Sequence, residues 1–150
     1  LAASVQKSCE YRLARQKQSL QCDVEEAAVW GEPELLRTLL LNLLDNAFKS
    51  GGGRVQLTGR VEGERYLIRI SDDGRGIPAD QLRRITEAFY MVDKSRSRKE
   101  HGAGLGLALC ARIAAIHGTK LEYDTAEGCG TTVQIALKLC PPEEEETPCE

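Results

Sequence analysis

Between Leu35 and Ala47 the chain places apolar residues at 35, 36, 39, 40, 43, 44 and 47. Only an α-helix turns that spacing into one broad apolar face. Gly31-Glu32-Pro33 opens the segment, with Pro33 at a first-turn position where its missing N–H does no harm. Gly51-Gly52-Gly53 ends it. A face this wide requires a second layer, and the rest of the chain supplies candidates for it.

Val5, Cys9 and Leu13 recur every four residues and predict an amphipathic helix at the start. Leu20, Cys22 and Val24 alternate as in a strand, and Val29-Trp30 reads as a second short one. Val55, Leu57 and Val61, then Tyr66, Ile68 and Ile70, predict a hairpin around Glu62-Gly63-Glu64. Residues 72–104 read as loop-rich, with a short helix over Ala79–Ala88. Leu105, Leu109, Ile113 and Ile116 predict a helix closed by Gly118. Leu121 and Tyr123, then Val133, Ile135, Leu137 and Leu139, predict a last hairpin across Glu127–Gly130. The fold class expected is an α/β (α+β) two-layer sandwich, a mixed, mostly antiparallel sheet with about three helices on one face.

Residues 1–140 read as one domain. Residues 141–150, PPEEEETPCE, read as a disordered acidic tail, too poor in apolar surface to offset chain entropy. That tail accounts for the formal charge of −3; without its five glutamates, 20 basic residues face 18 acidic ones. Neither balance suits a nucleic-acid surface. No apolar run approaches the ~20 residues that cross a membrane, and no signal peptide is visible. The sequence begins with Leu1, as expected of a piece excised from a longer protein. Six cysteines include no CxxC pair, which argues against zinc and for free thiols in a reducing cytosol.

Four polar segments stand out. On the leucine-rich helix, Asn46 lies about +40° and Lys49 about −20° from Asn42, so the three form a column beside the apolar face. Carboxamide oxygens are hard neutral ligands suited to Mg²⁺, and a lysine one turn on can meet a phosphate. A solvated polar face explains the same residues. Asp72-Asp73-Gly74-Arg75-Gly76-Ile77-Pro78 follows a strand; its first carboxylate can accept from an amino group such as that of adenine. An Asp-Gly turn is the plainer reading. Gly102-Ala103-Gly104-Leu105-Gly106-Leu107 opens a helix, whose free N–H groups favour phosphate. It is neither the dinucleotide fingerprint, since no strand runs into it, nor a P-loop. Between them, 89–101 is polar and basic, either a solvated loop or a mobile cover over a reactive site.

Taken in order, these segments resemble the catalytic domain of sensor histidine kinases, within the gyrase, Hsp90, histidine kinase and MutL ATPases. NLLDNAFKS at 42–50 resembles that family's N box, DDGRGIP at 72–78 its first glycine box and EAFYMVDKSRSR at 87–98 its F box and lid. GAGLGLAL at 102–109 resembles the second glycine box, and GCGTTVQIAL at 128–137 the closing strand pair. The resemblance covers roughly residues 4–139 and implies a Bergerat-type ATP-binding fold. It implies that Asp72 binds the adenine amino group and that Gly74, Gly76 and Ile77 shape the base pocket, with Thr131 assisting. Asn42 and Asn46 would hold Mg²⁺. Lys49 would face the phosphates, with Arg96 and Arg98 as lid cations. Phe89 would anchor the lid. Gly102, Gly104, Leu105 and Gly106 would cradle the triphosphate. Many family members carry arginine where Met91 stands, so Lys94, Arg96 or Arg98 would supply that cation.

Hydrolytic relatives usually carry a glutamate where this chain has Asn42. A carboxamide takes no proton from water at neutral pH, which argues for transfer to an external nucleophile. The family's phosphate-accepting histidine lies in a helical hairpin. Here only His101, in the lid segment, and His117, at a helix end, exist. The expected function is therefore transfer of the ATP γ-phosphate to a histidine outside this chain. Expected partners are the parent protein's histidine-bearing dimerisation helices and a downstream response regulator. Neither nucleic acid nor membrane contact is expected, and the location expected is cytoplasmic, under a parent that could be membrane-anchored. Two alternatives are an anti-sigma-factor-type serine kinase and a nucleotide-binding module without turnover.

Overall fold

A computed structural model of the chain describes residues 1–87 and 105–141. Its elements run α1 (Ala2–Gln16), β1 (Ser19–Val24), α2 (Pro33–Lys49), β2 (Arg54–Glu62), β3 (Arg65–Asp72), α3 (Gly106–Ile116), β4 (Glu122–Thr125) and β5 (Thr131–Lys138). The five described strands form one sheet in the order β1-β2-β3-β5-β4. β1 pairs with β2 in parallel; the other three pairings are antiparallel.

Local chemistry accounts for the boundaries. Pro33 occupies the first turn of α2, and Lys49 sits in its last turn, opposite the dipole's negative end. Gly51, at φ 90°, turns the chain away after the Ser50 cap. Gly63, at φ 60°, makes the tight turn of the β2–β3 hairpin. The Val29-Trp30 segment is reduced to one antiparallel bridge, Val29 with Leu139.

One correction concerns the helix expected over Ala79–Ala88. Residues 79–86 are chained turns, closed by bonds three residues apart: Gln81 N–H to Pro78 O, Arg84 N–H to Gln81 O and Glu87 N–H to Arg84 O. Pro78 fixes the entry, and only Ile85 is buried there, so no apolar stripe draws the segment into a longer helix.

The three described helices share one core with one face of the sheet. Val5 and Cys9 come from α1, the leucines 36, 39, 40, 43 and 44 from α2, and Cys110, Ile113 and Ala114 from α3. Val55, Leu57, Ile70, Ile135 and Leu137 meet them from alternate strand positions. Leu39 and Leu44 are fully buried, each contributing about 1.5–3 kcal/mol. The opposite sheet face is polar and tied by side chains, among them Arg69 to Glu62 at 3.1 Å and to Gln134 at 2.6 Å.

Register sets up what lies at one end of the sheet. Asp72, the last residue of β3, pairs with Thr131, the first of β5, and Thr131 pairs with Thr125, the last of β4. α2 passes over this end with Asn46 and Ser50, and the first turn of α3 supplies Leu107 to the same cavity.

Candidate functional site

A cavity of about 120 Å³ opens between α2, the first turn of α3 and the strand ends. Its lining includes Asn46, Ser50, Asp72, Arg75, Gly76, Ile77, Tyr123 and Thr131 over an apolar floor of Leu43, Ile70, Leu107 and Val133. Two walls are loops, and their shape depends on glycines. Gly76 has φ 69°, and a Cβ there would overlap the Ala126 carbonyl oxygen. Gly74 lies flat on Ser50, where a Cβ would overlap the serine hydroxyl. Gly130, at φ 80°, lies equally close to the Asp72 carbonyl.

Hydrogen bonds fix these loops to each other. The Arg75 N–H donates to Ser50 O at 3.1 Å, and the Gly128 N–H donates to Arg75 O at 2.6 Å. The Thr125 hydroxyl accepts from the Ile77 N–H at 3.0 Å and donates to Gly130 O at 2.9 Å, with Thr131 Oγ1 also 2.9 Å away. Asp73 turns away from the cavity: its Oδ1 accepts the Arg54 N–H at 2.9 Å, and that bond holds its carboxyl below the ordinary range.

Asp72 behaves differently. Its Oδ1 accepts the Gly74 N–H at 2.9 Å. Burial pushes its carboxyl above the ordinary range, against the opposing pull of hydrogen bonds from Gly74 and Ser50. A half-buried carboxylate with an apolar floor beside it is an acceptor prepared for a polar hydrogen on a flat, mostly apolar group.

The column predicted on α2 holds in sequence, but its members have different surroundings. Asn46 is exposed at the cavity. Asn42 donates Nδ2 to Thr38 O at 2.8 Å, and its Oδ1 faces the α3 N-terminus, 3.2 Å from where a Gly106 Cβ would stand. Lys49 pairs with Asp45 at 2.6 Å, a partner the sequence reading did not assign. Leu105 and Gly106 stand at the start of α3, where no side chain among the described residues caps the helix. Phe89, Met91, Arg96, Arg98, His101, Gly102 and Gly104 lie outside the described residues, as does the tail from 142 onward.

Ser50, Arg75 and Tyr123 line the cavity without having been singled out. Signals for two of them existed. Arg75 stands inside the Asp-Asp-Gly-Arg-Gly run, and Tyr123 alternates with Leu121 toward the core face. The Tyr123 hydroxyl is buried with no hydrogen-bond partner among the described residues, and burial raises its phenol.

A two-layer sandwich with a half-buried carboxylate at a strand end and glycine-shaped walls beside a helix start fits a nucleotide-binding ATPase-type domain. Residues 31–141 match the family described as histidine kinase-, DNA gyrase B-, and HSP90-like ATPase, and the chain belongs to that family. Within it, the chain is an ATP-binding catalytic domain of the sensor-histidine-kinase type. It is 35% identical over 116 residues to the sensor histidine kinase YkoH of Bacillus subtilis, covering 77% of this chain and 26% of that protein. It is 38% identical over 116 residues to RppB of Synechocystis, covering 76% of this chain and 26% of that protein. The chain thus spans about a quarter of the length of these curated relatives. Among solved structures, the mycobacterial sensor histidine kinase MprB superimposes with a TM-score of 0.77 at 27% identity, covering 93% of this chain and 95% of that one. Full-length ShkA in complex with AMPPNP superimposes with a TM-score of 0.77 at 26% identity, covering 92% and 29%.

Proposed function

We propose that the cavity takes the adenine of ATP and that this domain transfers the γ-phosphate to a histidine outside the chain. The observation that carries the reading is the half-buried Asp72 carboxylate over an apolar floor, with Asn46 and the first turn of α3 on the same cleft. Asp72 accepts the adenine amino hydrogen, and Thr131 assists at the same strand end. Gly74, Gly76 and Ile77 shape the base wall. The triphosphate runs toward Gly102, Gly104, Leu105 and Gly106, since the positive dipole end at the start of a helix favours anions. That the similar full-length ShkA was solved in complex with AMPPNP supports nucleotide binding by this domain.

The donor set fits magnesium held with phosphates. Asn42 has its Nδ2 committed to Thr38, which leaves Oδ1 directed at the α3 start, and Asn46 is exposed beside it. Two neutral carboxamide oxygens suit a hard cation whose charge the phosphates balance. Mg²⁺ there supplies neutralisation of charge developing on the phosphoryl oxygens. The residues of the chain hold and orient. Lys49, with the lid cations Arg96 and Arg98, faces the phosphates, and Phe89 anchors the lid over them. Asn42 provides no base for water, so the nucleophile arrives from outside, on a histidine-bearing helical hairpin of the parent protein, with a response regulator downstream. No described helix is long and apolar enough to cross a membrane, and the free thiols of Cys9, Cys22, Cys110, Cys129 and Cys140 fit a reducing, cytoplasmic setting.

The test is transfer from γ-labelled ATP with and without the parent's helical hairpin. Acid-labile, base-stable label on the hairpin, and none on the chain alone, is the expected result. Robust labelling of the isolated chain, or no ATP binding by calorimetry, overturns the reading.

A further inference from the structure

We propose that Gln18 is a positioning residue for the base pocket, clamping the turn after α2 on which the loop from Asp72 to Ile77 rests. The inference rests on the nucleotide reading above and adds a residue to it. Gln18 stands between α1 and β1, after Lys17, whose left-handed backbone at φ 52° ends the helix. Its Nε2 donates to Phe48 O at 2.8 Å and to Gly52 O at 2.9 Å. Both acceptors are carbonyls, so only the NH₂ end of the amide can face them, and that end carries one proton for each. Phe48 lies in the last turn of α2, where helix carbonyls lack intrahelical donors. Gly52 lies in the glycine turn that follows. One side chain thus bridges the two ends of the turn.

The same turn carries the pocket loop. A Cβ on Gly52 would overlap Asp73 Oδ1 and stand 2.8 Å from Asp73 C and from Gly74 N. Gly74 lies on Ser50, whose carbonyl accepts the Arg75 N–H at 3.1 Å. Asp73 Oδ1 accepts the Arg54 N–H at 2.9 Å. The loop therefore meets this stretch at Ser50, Gly52 and Arg54. What it positions is the pocket itself: the Gly74 N–H donates to Asp72 Oδ1 at 2.9 Å, and Arg75, Gly76 and Ile77 line the cavity.

Gly51, Gly52 and Gly53 have no side chains to pack, so hydrogen bonds hold the turn in place. Ser19 supplies one, its N–H donating to Gly53 O at 2.9 Å, and that backbone bond needs no side chain at position 18. The link between Phe48 and Gly52 depends on the Gln18 amide alone among the described side chains. Gln18 Oε1 is buried with no partner among the described residues. An amide that leaves its acceptor unpaired is held there by its donors.

The experiment compares the wild-type chain with Gln18→Met, Gln18→Glu and His117→Ala. Methionine keeps the length of the side chain without its donors, and glutamate keeps the shape and at neutral pH has no donor either. His117 bonds the Glu32 N–H at the other end of α2, so its loss lowers stability without touching the turn. Amide hydrogen exchange is followed by NMR on the nucleotide-free chain, and ADP affinity is measured by calorimetry. In both Gln18 variants the Gly74 and Arg75 amides exchange about tenfold faster than in wild type, the order expected when one or two neutral hydrogen bonds are lost. In His117→Ala they stay within about twofold of wild type while core amides of β3 speed up. ADP affinity falls roughly three- to tenfold in the Gln18 variants and holds in His117→Ala. Either Gln18 variant decides the matter alone. Wild-type exchange at Gly74 and Arg75 overturns the proposal, as does an equal acceleration in His117→Ala, which would assign the effect to global stability. Faster exchange with undiminished ADP affinity overturns it too. The exchange arm needs no nucleotide, so a wild-type chain that bound no ADP would refute the nucleotide reading while Gly74 and Arg75 still showed whether Gln18 holds the loop.

Discussion

Two glycines on facing loops separate backbone strain from steric contact, and replacing each by alanine measures the difference. Gly76 and Gly128 have left-handed backbones, at φ 69° and 79°. Alanine at either costs about 1–2 kcal/mol for that conformation alone. Gly128 has nothing among the described residues within 4 Å of an added Cβ, so its loss stops there. At Gly76 the added methyl overlaps the Ala126 carbonyl oxygen, stands 2.8 Å from its carbon and 3.1 Å from Gly130 O. These are backbone atoms and cannot swing aside, so the 126–130 turn must back away. Overpacking of that kind costs about 1–3 kcal/mol more, for a total of roughly 2–5 kcal/mol. In a chain of this size each kcal/mol lowers Tm by about 2–4 °C. Backing away also strains the Gly128 N–H to Arg75 O bond and the Ile77 N–H to Thr125 bond, which hold the cavity wall. Thermal unfolding of the two variants should therefore show Gly76→Ala losing about 1–3 kcal/mol more than Gly128→Ala, roughly 2–12 °C further in Tm. Calorimetry with ADP should show about a tenfold or greater loss of affinity for Gly76→Ala, about 1.4 kcal/mol or more, with Gly128→Ala near wild type. Equal stability losses, or undiminished binding by Gly76→Ala, would refute the reasoning.

Asp72→Asn should weaken Mg-ATP binding roughly a hundredfold, about 2–3 kcal/mol, because it presents an amide where an acceptor is needed. Since burial raises the Asp72 carboxyl in the folded state, ionising it costs folding free energy that is absent below the ordinary carboxylate range and grows as pH rises through the raised midpoint. The same variant should thus be at least as stable as wild type at neutral pH without nucleotide, and a marked fall in Tm there would contradict this. Asn46→Ala should lower ATP affinity about tenfold with Mg²⁺ and little in EDTA; equal losses under both conditions would remove the metal role. His117 accepts the Glu32 N–H on Nε2 at 3.0 Å and has Nδ1 2.8 Å from Ile113 O. With both ring nitrogens engaged, it should carry no label after incubation with γ-labelled ATP, and His117→Ala should cost about 1–2 kcal/mol in urea unfolding.

The periods that are local in sequence were legible. The apolar face of α2, the alternation of β2 and β3, and the turn at Gly63 follow from i, i+4 and i, i+2 spacing and from φ preferences, which act between near neighbours. The motif order was legible too, and with it the family, because Asn42, Asn46, Asp72 and the glycines keep their types and spacing. The helix over 79–88 failed because propensity there had no buried stripe behind it. Nothing local specified that β1 would lie parallel to β2, or that β5 would enter between β3 and β4. Those pairings join segments tens of residues apart and are decided by which register buries Leu57, Ile70 and Ile135 under α2. They place Asp72 opposite Thr131 and bring Tyr123 to the same wall. Lys49 held by Asp45 and Ser50 set against Gly74 likewise depend on side-chain positions that spacing leaves undetermined. A sequence lists the donors and acceptors, but which of them share a cavity depends on packing of the whole chain, because burial is what turns Asp72 from a solvated turn residue into a raised, directed carboxylate.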